Sequence, residues 1–392
     1  MDINFISFVA FIIVVILLLI SQRKKVKREG IIFIRRTPRG RNTIDKVARK
    51  NIRFWRIFGN IGVIVVIGVM IFGSYLLTSN ALSIMTSETD QGAGIILPGP
   101  VSTSTALPGV FVIPWWFFVI GIVLLMVPHE FAHGIMSRVD KIRIKSVGWL
   151  FFAVLPGAFV EPDDNQIKKS KKSTKLRIYG AGGFANILTG LLIFALMNFV
   201  IVPSFYSSLQ PQGVLFETNE NSSLSEMQGA IVSVNNVQVR SLKELQDALS
   251  SHSAGDEVKL EIIPSSSIQH YFVLESVPAI VKNNETVIHQ AAFFEDEGRQ
   301  VIGITVALSN GSEIAYSASS MLLVDFVRLM AMMFIFTIGI GIVNLLPIKP
   351  LDGGLILEEI IPKSKYSGYA VKVISAFFLA VLVFNIVGPF FF

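Results

Sequence analysis

The chain contains no cysteine. That absence excludes disulfides and every thiolate metal site, though it fixes no compartment. Histidine is scarce too, with five in 392 residues. Charged residues make up 16% of the chain against 52% hydrophobic ones, and the mean hydropathy is +0.61. A chain this long and this poor in charge reads as a polytopic membrane protein. Apolar runs able to cross about 30 Å of hydrocarbon occur at 3–20, 57–77, 111–135, 184–205, 322–346 and 369–387. The expected fold is therefore α-helical, with about six transmembrane helices. No small-residue cleavage site follows the first run, and basic residues follow it rather than precede it, so it reads as a retained helix.

What charge there is sits on one side. With six spans and both termini outside, only Arg240, Lys243, Lys259, Lys282, Arg299 and Arg328 of the 34 lysines and arginines fall on the outer side. The dense runs, Arg23 to Arg28 and Lys168 to Arg177, face the cytoplasm. The net charge of +6 thus reflects loops against anionic lipid, and no nucleic-acid partner is expected.

The third apolar run ends in His129-Glu130-Phe131-Ala132-His133. Histidines at i and i+4 leave one helix face together, so both imidazoles reach a single Zn²⁺. Glu130 points near the metal's open position, where it can take a proton from water. Ionisable groups at membrane depth are costly and mark a functional site by default. The alternative is a pair of packing histidines at a helix end.

A protease-type zinc site needs a third protein ligand. His252, His270 and His289 all fall in a polar region outside the expected membrane spans, so a carboxylate is the better donor. Asp352 is the best placed. It closes the stretch Asn344-Leu345-Leu346-Pro347-Ile348-Lys349-Pro350-Leu351-Asp352-Gly353-Gly354, where two prolines and two glycines break the helix and let backbone fold back. Asp352 could also cap the amphipathic run that follows, and capping does not exclude ligation. The charge-derived topology puts both motifs at the cytoplasmic ends of their spans, hence at one depth.

HExxH on one apolar helix and a distant Asn-x-x-Pro-x-x-Pro-x-Asp-Gly on another resemble the site-2 protease family of intramembrane zinc metalloproteases. The resemblance covers most of 111–392. It implies His129, His133 and Asp352 as ligands of Zn²⁺, Glu130 as catalytic base, and Asn344 as a holder of substrate backbone. It sets the helix of Asn186 beside the HExxH helix, so that Asn186 either supports the catalytic centre or simply packs between helices. Segment 146–160 is apolar, too short to span and bounded by basic residues, which fits a re-entrant hairpin. Site-2 proteases carry such an element, thought to pair with substrate as an added strand. An interfacial loop that merely packs is the alternative.

Residues 210–277 differ in kind. Short apolar runs at 213–216, 230–234, 258–263 and 271–274 alternate with polar turns, Asn235-Asn236 marks a tight turn, and 241–250 has helical spacing. This order resembles a PDZ domain, an α+β module that site-2 proteases often carry outside the membrane. The usual carboxylate-binding loop is not evident, so peptide binding and a steric gate stay open. Strand candidates at 287–294 and 301–306 extend it. Asp325 and Arg328 are spaced to pair on one helix face. Sequons at Asn221, Asn284 and Asn310 and the Ser/Thr/Gly/Pro-rich loop 85–108 fall on the outer side.

The expected organisation is two N-terminal helices with a basic loop (1–110), a first half of the catalytic core (111–205), an extracytoplasmic PDZ-like insert (206–315) and a second half of the core (316–392). The expected protein sits in the cell membrane, within the lipid bilayer, and cuts transmembrane protein substrates near the cytoplasmic face. Rival readings are a membrane-anchored HExxH protease acting on soluble or unfolded proteins, a metal transporter and a PDZ scaffold.

Overall fold

A computed structural model of the chain describes all residues except 1–2, 87–93, 100–109, 154, 219–227, 271–278, 282–284, 297–298, 303, 307–313, 319–320 and 392. The strand expected at 271–274, the three sequon asparagines and most of the loop 85–108 lie outside the described residues. The helices are α1 (Ile3–Ser21), α2 (Arg41–Lys50), α3 (Ile52–Met85), α4 (Trp115–Val139), α5 (Asp164–Lys169), α6 (Lys172–Leu196), α7 (Val202–Ser208), α8 (Leu242–Leu249), α9 (Met321–Asn344), α10 (Asp352–Ile360) and α11 (Ser367–Val387).

Among the described residues, five helices are long and apolar enough to cross a membrane: Ile52–Met85, Trp115–Val139, Lys172–Phe205, Leu323–Asn344 and Ser367–Phe390. The first expected span is also an apolar helix, shorter than these. The chain is thus a multi-pass membrane protein. The third span starts later than the hydropathy suggested, at Trp115, because 110–114 forms a strand ending in Pro114. The fourth starts earlier, at Lys172, since the basic residues before the apolar run continue the helix.

Two compact units divide the chain: Met1–Ile193 with Met333–Phe392, and Phe194–Met332. In the first, helices meet on glycine. A Cβ on Gly62 of α3 would stand 2.8 Å from the Phe184 ring of α6, and one on Gly121 of α4 would stand 2.3 Å from Phe336 of α9. Lipid offers no hydrophobic drive between helices, so close backbone approach supplies the packing. Val66, Met70, Phe184, Leu345 and Ile356 close a core joining α3, α6, the end of α9 and α10. Lys175 of α6 pairs with Glu359 of α10 at 2.8 Å.

The same unit holds strands β1 (Lys27–Glu29), β2 (Ile32–Thr37), β3 (Ile95–Gly99), β4 (Val110–Pro114), β5 (Ile144–Phe152) and β6 (Leu155–Pro162). The apolar segment 146–160 is the β5–β6 hairpin. Nothing in the basic loop's charge announced that it would extend this hairpin. Its apolar run Ile31 to Ile34 nonetheless places β2 against β5, giving the order β1-β2-β5-β6 with β6 at the edge. α2 lays Ile44 and Ala48 against Ala132, Ile135 and Met136 of α4. β3 and β4 pair in parallel.

The second unit carries β7 (Leu209–Thr218), β8 (Gln228–Val234), β9 (Val237–Gln238), β10 (Glu257–Pro264), β11 (Ile268–His270), β12 (Ala279–Val281), β13 (Val287–Ala292), β14 (Phe294–Asp296), β15 (Arg299–Val301), β16 (Ile304–Val306) and β17 (Ile314–Ala318). Its main sheet runs β11-β12-β17-β7-β8-β10-β13. Asn235 and Asn236, both at positive φ, turn β8 into β9, the conformation a two-residue hairpin asks for. α8 is capped by Ser241, whose hydroxyl accepts from the Glu244 amide, and buries Leu245 in the sheet's core. Asp325 and Arg328 pair at 3.4 Å.

Candidate metal centre

α4 runs through Pro128 straight into His129. The two histidines stand one turn apart, so their rings converge, with Nε2 atoms 3.1 Å from each other. α9 ends at Asn344, and the chain turns through Leu345 to Leu351 before α10 begins at Asp352. Asp352 is the first residue of α10, and the helix N-cap is Leu351, so its carboxylate is not spent on capping. One oxygen, Oδ2, lies 3.4 Å from His129 Nε2 and 3.2 Å from His133 Nε2. These three residues form a group able to hold one metal ion.

The turn is held on both sides. The Ser375 hydroxyl of α11 donates to the Pro347 carbonyl at 3.1 Å and accepts from the Lys349 amide at 3.3 Å. A Cβ on Gly353 would come within 2.0 Å of the Leu345 carbonyl, so only glycine lets α10 start this close to the end of α9.

The surroundings fit a cation. His133 Nδ1 lies 2.6 Å from the Ile178 carbonyl, which only accepts, so Nδ1 carries the proton and Nε2 offers a lone pair. His129 Nδ1 lies 3.1 Å from the amide of Asn186, whose Oδ1 is buried without a partner among the described residues. Turning that amide by half a rotation gives Oδ1 the His129 Nδ1 proton and frees His129 Nε2 as well. Two imidazole lone pairs and a carboxylate oxygen then face one another, an arrangement that a cation stabilises. Space is also reserved. A Cβ on Gly182 of α6 would lie 2.3 Å from His133 Nε2 and 2.5 Å from His129 Cε1. Two imidazoles and a carboxylate are the donor set of a catalytic zinc site.

Glu130 lies beside the cluster, and its Oε2 accepts from the Val160 amide of β6 at 2.8 Å. Asn344 Nδ2 donates to Asp352 Oδ2 at 3.0 Å and stands 3.5 Å from His129 Nε2. All six residues singled out in the sequence therefore come together: His129, Glu130, His133, Asn186, Asn344 and Asp352. Sequence reasoning missed the Ile178 carbonyl, the Val160 amide and Ser375, which carry no signal in their residue type. Gly182 sat in a visible small-residue run, Gly180-Ala181-Gly182-Gly183, whose purpose read as helix packing alone.

The model of peptidase family M50 matches residues 117–385. An uncharacterized protein of Methanocaldococcus jannaschii is 27% identical over 355 residues, which cover 89% of this chain and 83% of that protein.

Proposed function

The chain belongs to peptidase family M50, a family of metalloproteases, and we propose that it is an intramembrane zinc endopeptidase cutting transmembrane segments of other proteins near the cytoplasmic face. The observation that carries this reading is the convergence of His129 and His133 from α4 with Asp352 from α10, beside Glu130. His129, His133 and Asp352 would hold Zn²⁺, with Asn186 and the Ile178 carbonyl fixing the two rings. Bound there, zinc supplies Lewis-acid polarisation of the scissile carbonyl and lowers the pKa of a water. Glu130 takes a proton from the attacking water and delivers it to the leaving amine.

A helical substrate hides its carbonyls in its own hydrogen bonds, so it must be extended before cleavage. The open edge of β6 supports an added strand. Residues 156, 158, 160 and 162 alternate toward that edge, away from β5, as the Val160 amide shows by reaching Glu130. Positions 156 and 162 are proline and donate nothing. With the Val160 amide engaged by Glu130, Ala158 is the donor left for a substrate carbonyl. Asn344 spends an N–H on Asp352, and its Oδ1 would accept from substrate backbone. The asymmetry of lysine and arginine supports a cytoplasm-facing metal centre. The strand–turn–strand–helix order supports a PDZ-like insert on the outer side that restricts which substrates enter.

Glu130→Gln removes the base and keeps the ligands. It is expected to retain about one zinc per chain and to lose cleavage of a model transmembrane substrate by roughly 10²- to 10⁴-fold. Unchanged cleavage by this variant would remove Glu130 as the base, and no cleavage by the unaltered, zinc-loaded chain would remove the proteolytic reading.

A further inference from the structure

An arginine-lined cavity lies in the first unit, outside the metal centre. Arg39, Arg41, Asn42, Asp45, Arg138 and Arg143 line a space of about 530 Å³. The four arginines come from the β2–α2 turn, the first residue of α2, the last turn of α4 and the α4–β5 turn. Segments about a hundred positions apart are thus brought together to concentrate one sign of charge.

Among the described lining residues Asp45 is the one carboxylate, and it is already taken. Asp45 receives both Nε and Nη2 of Arg138, which also donates from Nη1 to the Ile142 carbonyl at 3.1 Å. Arg41 is fixed without any acid, donating to the carbonyls of Pro38 at 3.3 Å and Lys145 at 3.1 Å. Arg39 and Arg143 make no ion pair among the described residues. Three guanidiniums therefore line one concavity with no carboxylate among the described residues to neutralise them. Such a cluster repels itself, and fixing Arg41 on two carbonyls keeps it from dispersing.

We propose that this cavity binds a phosphate-bearing anion. A guanidinium is a planar fork that pairs with oxyanions two N–H groups at a time. One fork saturates a carboxylate. Several forks around one space match a tetrahedral group with three peripheral oxygens. The phosphate could belong to an acidic lipid headgroup or to a soluble phosphate compound. The proposal does not depend on proteolysis.

The test uses the full chain in detergent and reads the thermal unfolding midpoint. Sodium phosphate is compared with sodium chloride at equal ionic strength, and phosphatidylglycerol with phosphatidylcholine in mixed micelles. Phosphate is expected to raise the midpoint by about 3 °C or more over chloride, and the double variant Arg39→Ser/Arg143→Ser to lose most of that rise. Phosphatidylglycerol acting at a tenth of the inorganic phosphate concentration or less assigns the site to a lipid headgroup. A response to inorganic phosphate without one to phosphatidylglycerol assigns it to a soluble compound. Equal midpoints in phosphate and chloride, or a double variant that responds like the unaltered chain, overturn the proposal. Phosphorus NMR of the unaltered chain needs no variant: saturable broadening of the inorganic phosphate line supports the site, and an unchanged line at millimolar phosphate overturns it.

Discussion

At the scale of single residues, the metal centre depends on a group that carries no chemistry of its own. Gly182 leaves open the volume into which the imidazoles turn, and an added methyl would fall 2.3 Å from His133 Nε2. Its nearest neighbours are the histidines rather than backbone, so Gly182→Ala is expected to fold yet displace both rings. Zinc should fall from about one per chain to a small fraction, with cleavage falling in step. A folded Gly182→Ala protein with full zinc and full activity would show that the volume beside Gly182 is not needed for metal binding. Asn344 separates orienting from substrate binding. Asn344→Leu is expected to keep zinc and thermal stability and to lose most cleavage, because an amide is a poor zinc ligand beside imidazole and carboxylate. Loss of zinc along with activity would instead assign Asn344 to orienting Asp352, the residue it touches at 3.0 Å.

At the scale of elements, the contact between α4 and β6 couples the base to the hairpin. The Val160 amide holds one oxygen of Glu130, leaving the other to act on water. Val160→Pro deletes that N–H at an edge position where proline breaks no ladder bond. The variant is expected to keep zinc and substrate affinity while turnover drops by roughly 10- to 100-fold. Val160→Ala, which keeps the N–H, should stay close to the unaltered chain. Steady-state kinetics of the pair decide the matter, and equal turnover in both would mean that the contact is incidental. The turn before α10 shows the same logic in backbone. Two prolines remove amides that would otherwise continue the helix, and Ser375 bonds two of the main-chain groups in that turn.

At the scale of the whole molecule, every residue of the centre belongs to the unit formed by Met1–Ile193 and Met333–Phe392. None comes from Phe194–Met332, whose sheet and α8 have a core of their own around Val214, Phe216, Ile231 and Leu260. Removing 209–318, which takes out the whole of that sheet with α8, is therefore expected to leave zinc content and cleavage of a short model transmembrane substrate intact, and to widen the range of substrates cut. Complete loss of cleavage with zinc still bound would assign that region a part in the chemistry.

The membrane class, the HExxH helix, the carboxylate ligand candidate and the hairpin were all legible along the chain, because each rests on local periodicity or on motif spacing. Helical repeat alone puts His129 and His133 on one face, and the proline–glycine breaks alone free Asp352 from a helix interior. Only the tertiary structure decided what surrounds them. That β2 of a basic loop would extend the hairpin, that a glycine of α6 would leave room for the imidazoles, that Val160 would face Glu130 and that four arginines would share one cavity are facts about non-local contacts. They depend on register, close backbone approach and main-chain direction, which residue type does not encode.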